Sequence, residues 1–141
     1  MKTIFAAALT CAACYAQLVT IVNSGSTNTA GFQIVVEPSG EAEYTAQPRR
    51  FPIGKTEAPK RISKTIPTPL AKSLYADVNA ARPLSALPAQ SCGKSVSFGT
   101  RLTIQFGKDA SPDLSCGDAG NAKMRALIRD ATAIVKIFQG E

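Results

Sequence analysis

Two of the four cysteines constrain this chain most, because of where the other two sit. Cys11 and Cys14 fall in a leading segment in which Lys2 precedes an apolar run at residues 4–13 and Cys14-Tyr15-Ala16 puts small residues near a cleavage point. That order of charge, apolar run and small residues is the pattern of a secretory signal, with cleavage expected before Gln17. The run is too short to cross a bilayer, which takes about 20 apolar residues, so no transmembrane segment is expected. A buried N-terminal helix is the competing reading. A lipoprotein signal fits poorly: it needs Leu or a close relative three positions before the cysteine, where Cys11 has Ala8 and Cys14 has Cys11.

Residues 1–16 therefore read as a signal peptide and 17–141 as a single domain in a secreted or periplasmic setting. Cys92 and Cys116 are then left as a pair 24 positions apart. In an oxidising compartment they are expected to join. Closing a loop of that length contributes ~3 kcal/mol by restricting the unfolded chain. A redox-active pair is the alternative, but the C-x-x-C spacing that such pairs use is missing after residue 16.

A length of 141 residues predicts one domain, and with 45% hydrophobic and 18% charged residues it can form a packed core. The chain has no histidine. It cannot supply a Ser-His-Asp triad, a Cys-His pair or a His-ligated metal site. No cofactor and no metal site are expected.

Along the chain, residues 18–22 are β-branched and apolar and read as a strand. The polar stretch 23–29 ends it. A second strand puts Phe32, Ile34 and Val36 on one face. Pro38-Ser39-Gly40 is a turn, after which Ala42 and Tyr44 alternate inward with Glu41 and Glu43 outward. Residues 46–61 read as a long exposed loop broken by Pro48, Pro52, Gly54 and Pro59. A fourth strand follows, with Ile62 and Ile66 on one face. Thr68 as N-cap and Pro69 at the first helical position open a helix whose apolar side carries Leu70, Leu74, Tyr75 and Val78. Pro83 ends it, and Leu84 and Leu87 plug the edge of the core.

Val96, Phe98, Leu102, Ile104 and Phe106 all fall on even positions, which predicts one long strand, bulged at Gly99. A hairpin at Gly99-Thr100 is the rival, but it mixes the faces. Asn121 caps a last helix and Gly140 ends it, with Met124, Leu127, Ile128, Ala131, Val135 and Phe138 as its apolar stripe. The fold class is α+β: an antiparallel sheet of about four to five strands, two helices packed on one face, and one disulfide.

Asn23, Ser24, Ser26, Thr27 and Asn28 form a candidate binding loop whose hydroxyls and amides suit a sugar or an anion. The same residues favour ordinary turns for backbone reasons. Glu41 and Glu43 share a face and raise the alternative of a carboxylate-dependent hydrolase, although paired outer-face glutamates are usually solvated. Asp109, Asp113 and Asp118 flank the second cysteine but lack the alternate-residue spacing of a calcium loop. Asp113 reads as a turn residue and Asp118 as a helix N-terminal charge.

The chain carries a net charge of +6, and once the leading segment with Lys2 is set aside the remaining excess of 15 basic over 10 acidic residues, +5, is localised. Arg49, Arg50, Lys55, Lys60, Arg61 and Lys64 are opposed in their segment by Glu57 alone. Arg49, Arg50, Phe51, Lys60 and Arg61 are therefore candidates for contact with a polyanion or an extracellular protein. With one aromatic and no base-reading motif, nucleic acid is not the expected partner. The proline-stiffened stretch 48–52 within the 48–64 loop is also the natural reactive loop if the protein is a secreted protease inhibitor. A solvated, solubilising loop is the plain alternative.

Three stretches, Asn23-Ser24-Gly25-Ser26-Thr27-Asn28-Thr29, Lys94-Ser95-Val96-Ser97-Phe98-Gly99-Thr100 and Ser111-Pro112-Asp113-Leu114-Ser115-Cys116, together resemble a family of small exported bacterial proteins. The likeness runs from the first strand through the second cysteine. It implies an exported bacterial setting and no particular activity. The expected role is a non-enzymatic binding or structural accessory protein.

Overall fold

The computed structural model describes residues 17–47 and 58–140. It contains strands β1 (Val19–Asn23), β2 (Phe32–Val36), β3 (Glu41–Ala46) and β4 (Arg61–Thr65), then helix α1 (Thr68–Ala81), strands β5 (Leu102–Phe106) and β6 (Asp109–Ala110), and helix α2 (Ala122–Gln139). All pairings are antiparallel, and the sheet order is β4-β3-β2-β1-β5-β6. The fold is α+β, with the sixth strand a two-residue return made possible by Gly107 at φ 63°. Residues 1–16 and the part of the basic loop that holds Arg49, Arg50 and Phe51 lie outside the described residues.

Register follows from side-chain alternation. Ile62, Tyr44, Ile34, Ile21 and Ile104 stand opposite one another across five strands and form an apolar row beneath the helices. The adjacent row, Ser63, Glu43, Val35, Thr20 and Gln105, points to the open face. A slip of one residue in any strand would exchange these rows, so burial of one face fixes the pairing. Ala71, Leu74, Val78 and Ala81 of α1 and Met124, Leu127, Ala131, Ile134 and Phe138 of α2 complete one continuous core with the inward strand residues.

The helix ends differ in how they are satisfied. Asn121 accepts the Lys123 and Met124 amides through its side chain, and Gly140 closes α2 at φ 77°. α1 begins one residue earlier than expected: Pro67, not Thr68, occupies the N-cap position, and no side chain caps it. Pro69 has no N–H to satisfy, and the Pro67 carbonyl accepts both the Leu70 and Ala71 amides. Pro83 ends the helix as expected, because the residue before a proline leaves the helical region and Arg82 is extended. Leu84 and Leu87 are buried, and the short turn they flank is held by Asp109, whose carboxylate accepts the Leu84 and Ser85 amides at 2.8 and 3.0 Å.

The long strand expected over residues 95–106 is not formed. Only Leu102–Phe106 joins the sheet. Gly99 N–H donates to the Ser95 carbonyl at 2.7 Å, folding residues 95–99 into a turn, and Val96 and Phe98 are 88% and 66% exposed. The alternation there arises without a pleat, because the segment is held off the sheet by contacts described below.

At the opposite edge, Lys64 of β4 points toward the helices. Its ammonium donates to the Ile137 carbonyl and lies 5.5 Å from the centre of the Phe138 ring. A cation placed at the C-terminus of α2 complements the helix dipole, and an inward charge discourages further strands from adding at this edge. The register yields a direct check. Ile21→Ala should cost about 2–5 kcal/mol in urea denaturation, whereas Thr20→Ala, one residue away on the open face, should cost under about 1 kcal/mol. Equal losses would contradict the assigned faces.

Candidate functional site

The three sequence stretches singled out above meet at one end of the sheet, beyond Asn23 and Leu102. Asn23 ends β1, and its side-chain oxygen accepts the Gly25 amide at 2.9 Å, turning the chain sharply. Gly25 sits at φ 63°, and a Cβ there would lie 2.5 Å from the Gly31 nitrogen. Gly31 is equally tight, with a Cβ meeting the Asn23 carbonyl at 2.6 Å. The two glycines let the arms of the 23–31 loop cross closely.

The second stretch docks onto this loop. Ser24 N–H donates to the Arg101 carbonyl at 3.0 Å, and the Arg101 amide returns a bond to the Ser24 hydroxyl at 2.9 Å. The Ser97 carbonyl accepts both the Ser26 hydroxyl at 2.7 Å and the Asn28 amide at 3.0 Å. Asn23 Nδ2 reaches Thr100 Oγ1 at 3.4 Å.

The third stretch fixes the second from behind. Cys92 and Cys116 are bonded, with Cα atoms 5.5 Å apart. Between them Lys94 runs across the gap, and its ammonium donates to the Asp113 carboxylate, the Ser115 hydroxyl and the Thr100 carbonyl. Asp113 also accepts the Leu102 amide at 3.1 Å and the Ser115 amide at 3.0 Å. Burial alone would raise the Asp113 carboxyl. The hydrogen bonds from Lys94, from the Ser115 hydroxyl and from the two amides outweigh it and hold the group at about 2.

These contacts enclose an open hollow of about 620 Å³. It is lined by Ser24, Ser26, Thr27, Thr29, Gln47, Lys94, Ser95, Val96 and Arg101, with Gly25, Gly31 and Gly99 in its floor and walls. Of the candidate loop residues, Ser24, Ser26 and Thr27 line it. Asn23 and Asn28 act instead as backbone anchors. Arg61 opens β4 and Lys60 immediately precedes it; both are exposed, at the same end of the sheet but three strands from β1. Arg49, Arg50 and Phe51 are not among the described residues.

The acidic candidates do not gather. Glu41 and Glu43, with Glu37, border a second hollow of about 380 Å³ on the open face, and all three are exposed. Asp109 caps the turn at residues 84–86, and Asp118 pairs with Arg125 at 2.8 Å. Among the described residues no group of three His, Cys, Asp or Glu side chains is placed to hold a metal ion, and no helix is long and apolar enough to cross a membrane. No protein-family model matches the chain, and no curated protein matches it.

Sequence reasoning missed two groups. One is the set facing the 23–29 loop: Gln47, Lys94, Ser95 and Arg101. Nothing in their spacing places them there; the sheet order does. The other is a polar network between the helices. Asp130 is 2% exposed and accepts Ser73 at 2.9 Å and Arg129 at 2.9 Å, while Arg129 also holds Asp77 at 2.8 Å. Burial, followed by the adjacent Asp130, pushes the Asp77 carboxyl up. The signal was available: Asp130 lies three residues after Leu127 and four before Ile134, in the apolar stripe itself.

Two measurements follow from this geometry. The Asp113 carboxyl lies below its ordinary 3.8 when folded. Its contribution to stability is thus complete above about pH 4 and is lost as pH falls towards about 2. Asp113→Asn should flatten the fall in urea midpoint over that window, and an unchanged slope would count against the Lys94–Asp113 strut. The double variant Cys92→Ser, Cys116→Ser should keep the helical circular dichroism and the amide protection of β1 and β2. It should lose protection at Gly99 and Asn28. Loss of the helical signal would mean that the bridge supports the core instead of the loop.

Proposed function

We propose that this chain is an exported, non-catalytic binding protein whose ligand-facing surface is the loop-built end of the sheet. The observation that carries the reading is how an otherwise unsupported segment is fixed. Residues 88–101 contain no buried residue. Yet the segment is joined covalently at Cys92, braced by Lys94 and bonded through Ser97 to the 23–31 loop. Fixing an exposed loop in advance lowers the ordering cost of binding, and loops held on a rigid scaffold are common binding surfaces.

The chemistry of the hollow favours holding over transforming. Among the described residues its lining offers hydroxyls, a carboxamide, a guanidinium and the Lys94 ammonium, and no carboxylate. The chain has no histidine to activate the serine hydroxyls. Export rests on the leading segment at 1–16 and on the disulfide, which belongs to oxidising compartments.

The test uses the full mature chain as bait in the medium or periplasm of its source. Wild type should retain a ligand that Thr27→Trp, which fills the hollow without touching the core, fails to retain. Equal retention by both would place binding elsewhere or remove it altogether.

A further inference from the structure

We infer that the hollow is a site for a carboxylated saccharide, with Arg101 pairing the carboxylate. This rests on the binding role proposed above and adds the class of ligand. Several of the polar groups in the hollow are already used internally. The Ser24 hydroxyl donates to the Gly25 carbonyl at 2.9 Å and accepts from Arg101 N–H. The Ser26 hydroxyl donates to Ser97 and accepts from Thr29 N–H. Lys94 spends its ammonium on three internal acceptors. These groups shape the hollow and have little left for a ligand.

What remains is specific. The side chains of Thr27, Thr29 and Gln47 make no hydrogen bond among the described residues, and the Arg101 guanidinium has no ion-pair partner among them. Among the described residues the hollow therefore presents the hydroxyls of Thr27 and Thr29, the O–H of Ser95, whose oxygen accepts only Ser97 N–H, one carboxamide and one guanidinium without an ion-pair partner. Guanidinium groups bind carboxylates in a planar, two-bond geometry. Hydroxyls and carboxamides both donate and accept, which suits the hydroxyls of a sugar ring.

Size and polarity narrow the class further. About 620 Å³ falls within the roughly 300–1,000 Å³ of small-molecule sites. That is far more room than a lone inorganic anion fills. Val96 is the one large apolar side chain in the lining among the described residues, which gives a bulky apolar group little to pack against. None of the open-face glutamates Glu37, Glu41 and Glu43 lines it: Glu41 pairs with Thr65 at the far end of β3, Glu37 follows the far end of β2, and Glu43 lies mid-strand. Lys60 and Arg61 add positive potential at the near end.

The experiment is calorimetric titration of the mature, oxidised protein with trigalacturonate, with its fully methyl-esterified form, and with inorganic phosphate. Trigalacturonate should bind saturably. The ester and Arg101→Ala should each weaken binding by about tenfold to a hundredfold, as expected for loss of one charge-assisted contact. Thr29→Val, which keeps the shape and removes one hydroxyl, should weaken it about threefold to tenfold. Phosphate alone should not saturate.

Absence of trigalacturonate binding, full affinity in Arg101→Ala, or equal affinity for the ester would overturn the assignment. So would phosphate binding as tight as the sugar's, which would make the hollow a simple anion site. Retained circular dichroism and melting temperature in Arg101→Ala exclude misfolding as the cause of a loss. If trigalacturonate fails while Thr27→Trp still abolishes retention of the native ligand, the ligand class is wrong and the binding surface stands. If both fail, the binding surface falls too.

Discussion

The Cys92–Cys116 bridge and the Lys94–Asp113 contact beside it determine what this molecule presents to its surroundings. The sheet and helices have their own source of stability: an apolar row across five strands covered by two helices, with the ends of α2 satisfied by Asn121 and Gly140. The segment at 88–101 has none of that. With no buried side chain, it gains nothing from burial that would offset the cost of fixing its backbone, on the order of 1–2 kcal/mol per residue. A covalent tie and a buried-edge ion pair supply the constraint in place of a core. The consequence is a division of labour, with the hydrophobic core fixing the fold and polar and covalent contacts fixing the site.

That division also explains the roles of the polar residues in the 23–31 loop. Asn23, Ser24, Ser26 and Asn28 look alike as a composition, yet their side chains or amides are used up in holding backbone. Thr27, Thr29, Gln47 and Arg101 are the groups left over, and they come from three separate parts of the chain. Charge is sorted as well, with Glu37 and Glu41 of the open face toward one end and Lys60, Arg61 and Arg101, which have no ion-pair partner among the described residues, toward the other. Between the helices, the Ser73–Asp77–Arg129–Asp130 network is fully bonded and bears on how α1 and α2 align. It lies away from the hollow.

Much of this architecture can be read before any coordinates. Alternation in β1, β2 and β3 is strict because one face of each strand is buried and the other is wet, so Phe32, Ile34 and Val36 declare their side. Asn121 and Gly140 mark α2 because capping is a local interaction. The reading failed where a long-range tie overrules a local pattern. Val96 and Phe98 continue the even-numbered apolar series of β5, but Cys92 and Lys94 draw their segment toward residues 113–116 and off the sheet. At α1 the displacement is one residue, since the prolines at 67 and 69 make a side-chain cap unnecessary. The 23–29 loop was recognisable as polar and turn-forming. Its opposite wall was not, because the adjacency of β1 and β5 is a property of sheet order that no spacing in the sequence encodes.

Export and closure of the exposed loop through one particular bridge are tested most directly by non-reducing peptide mass mapping of the protein purified from its native compartment. The expected result is a linked pair of peptides carrying Cys92 and Cys116 and an N-terminus at Gln17. Free thiols at both positions, or a chain that still begins at Met1, would contradict it.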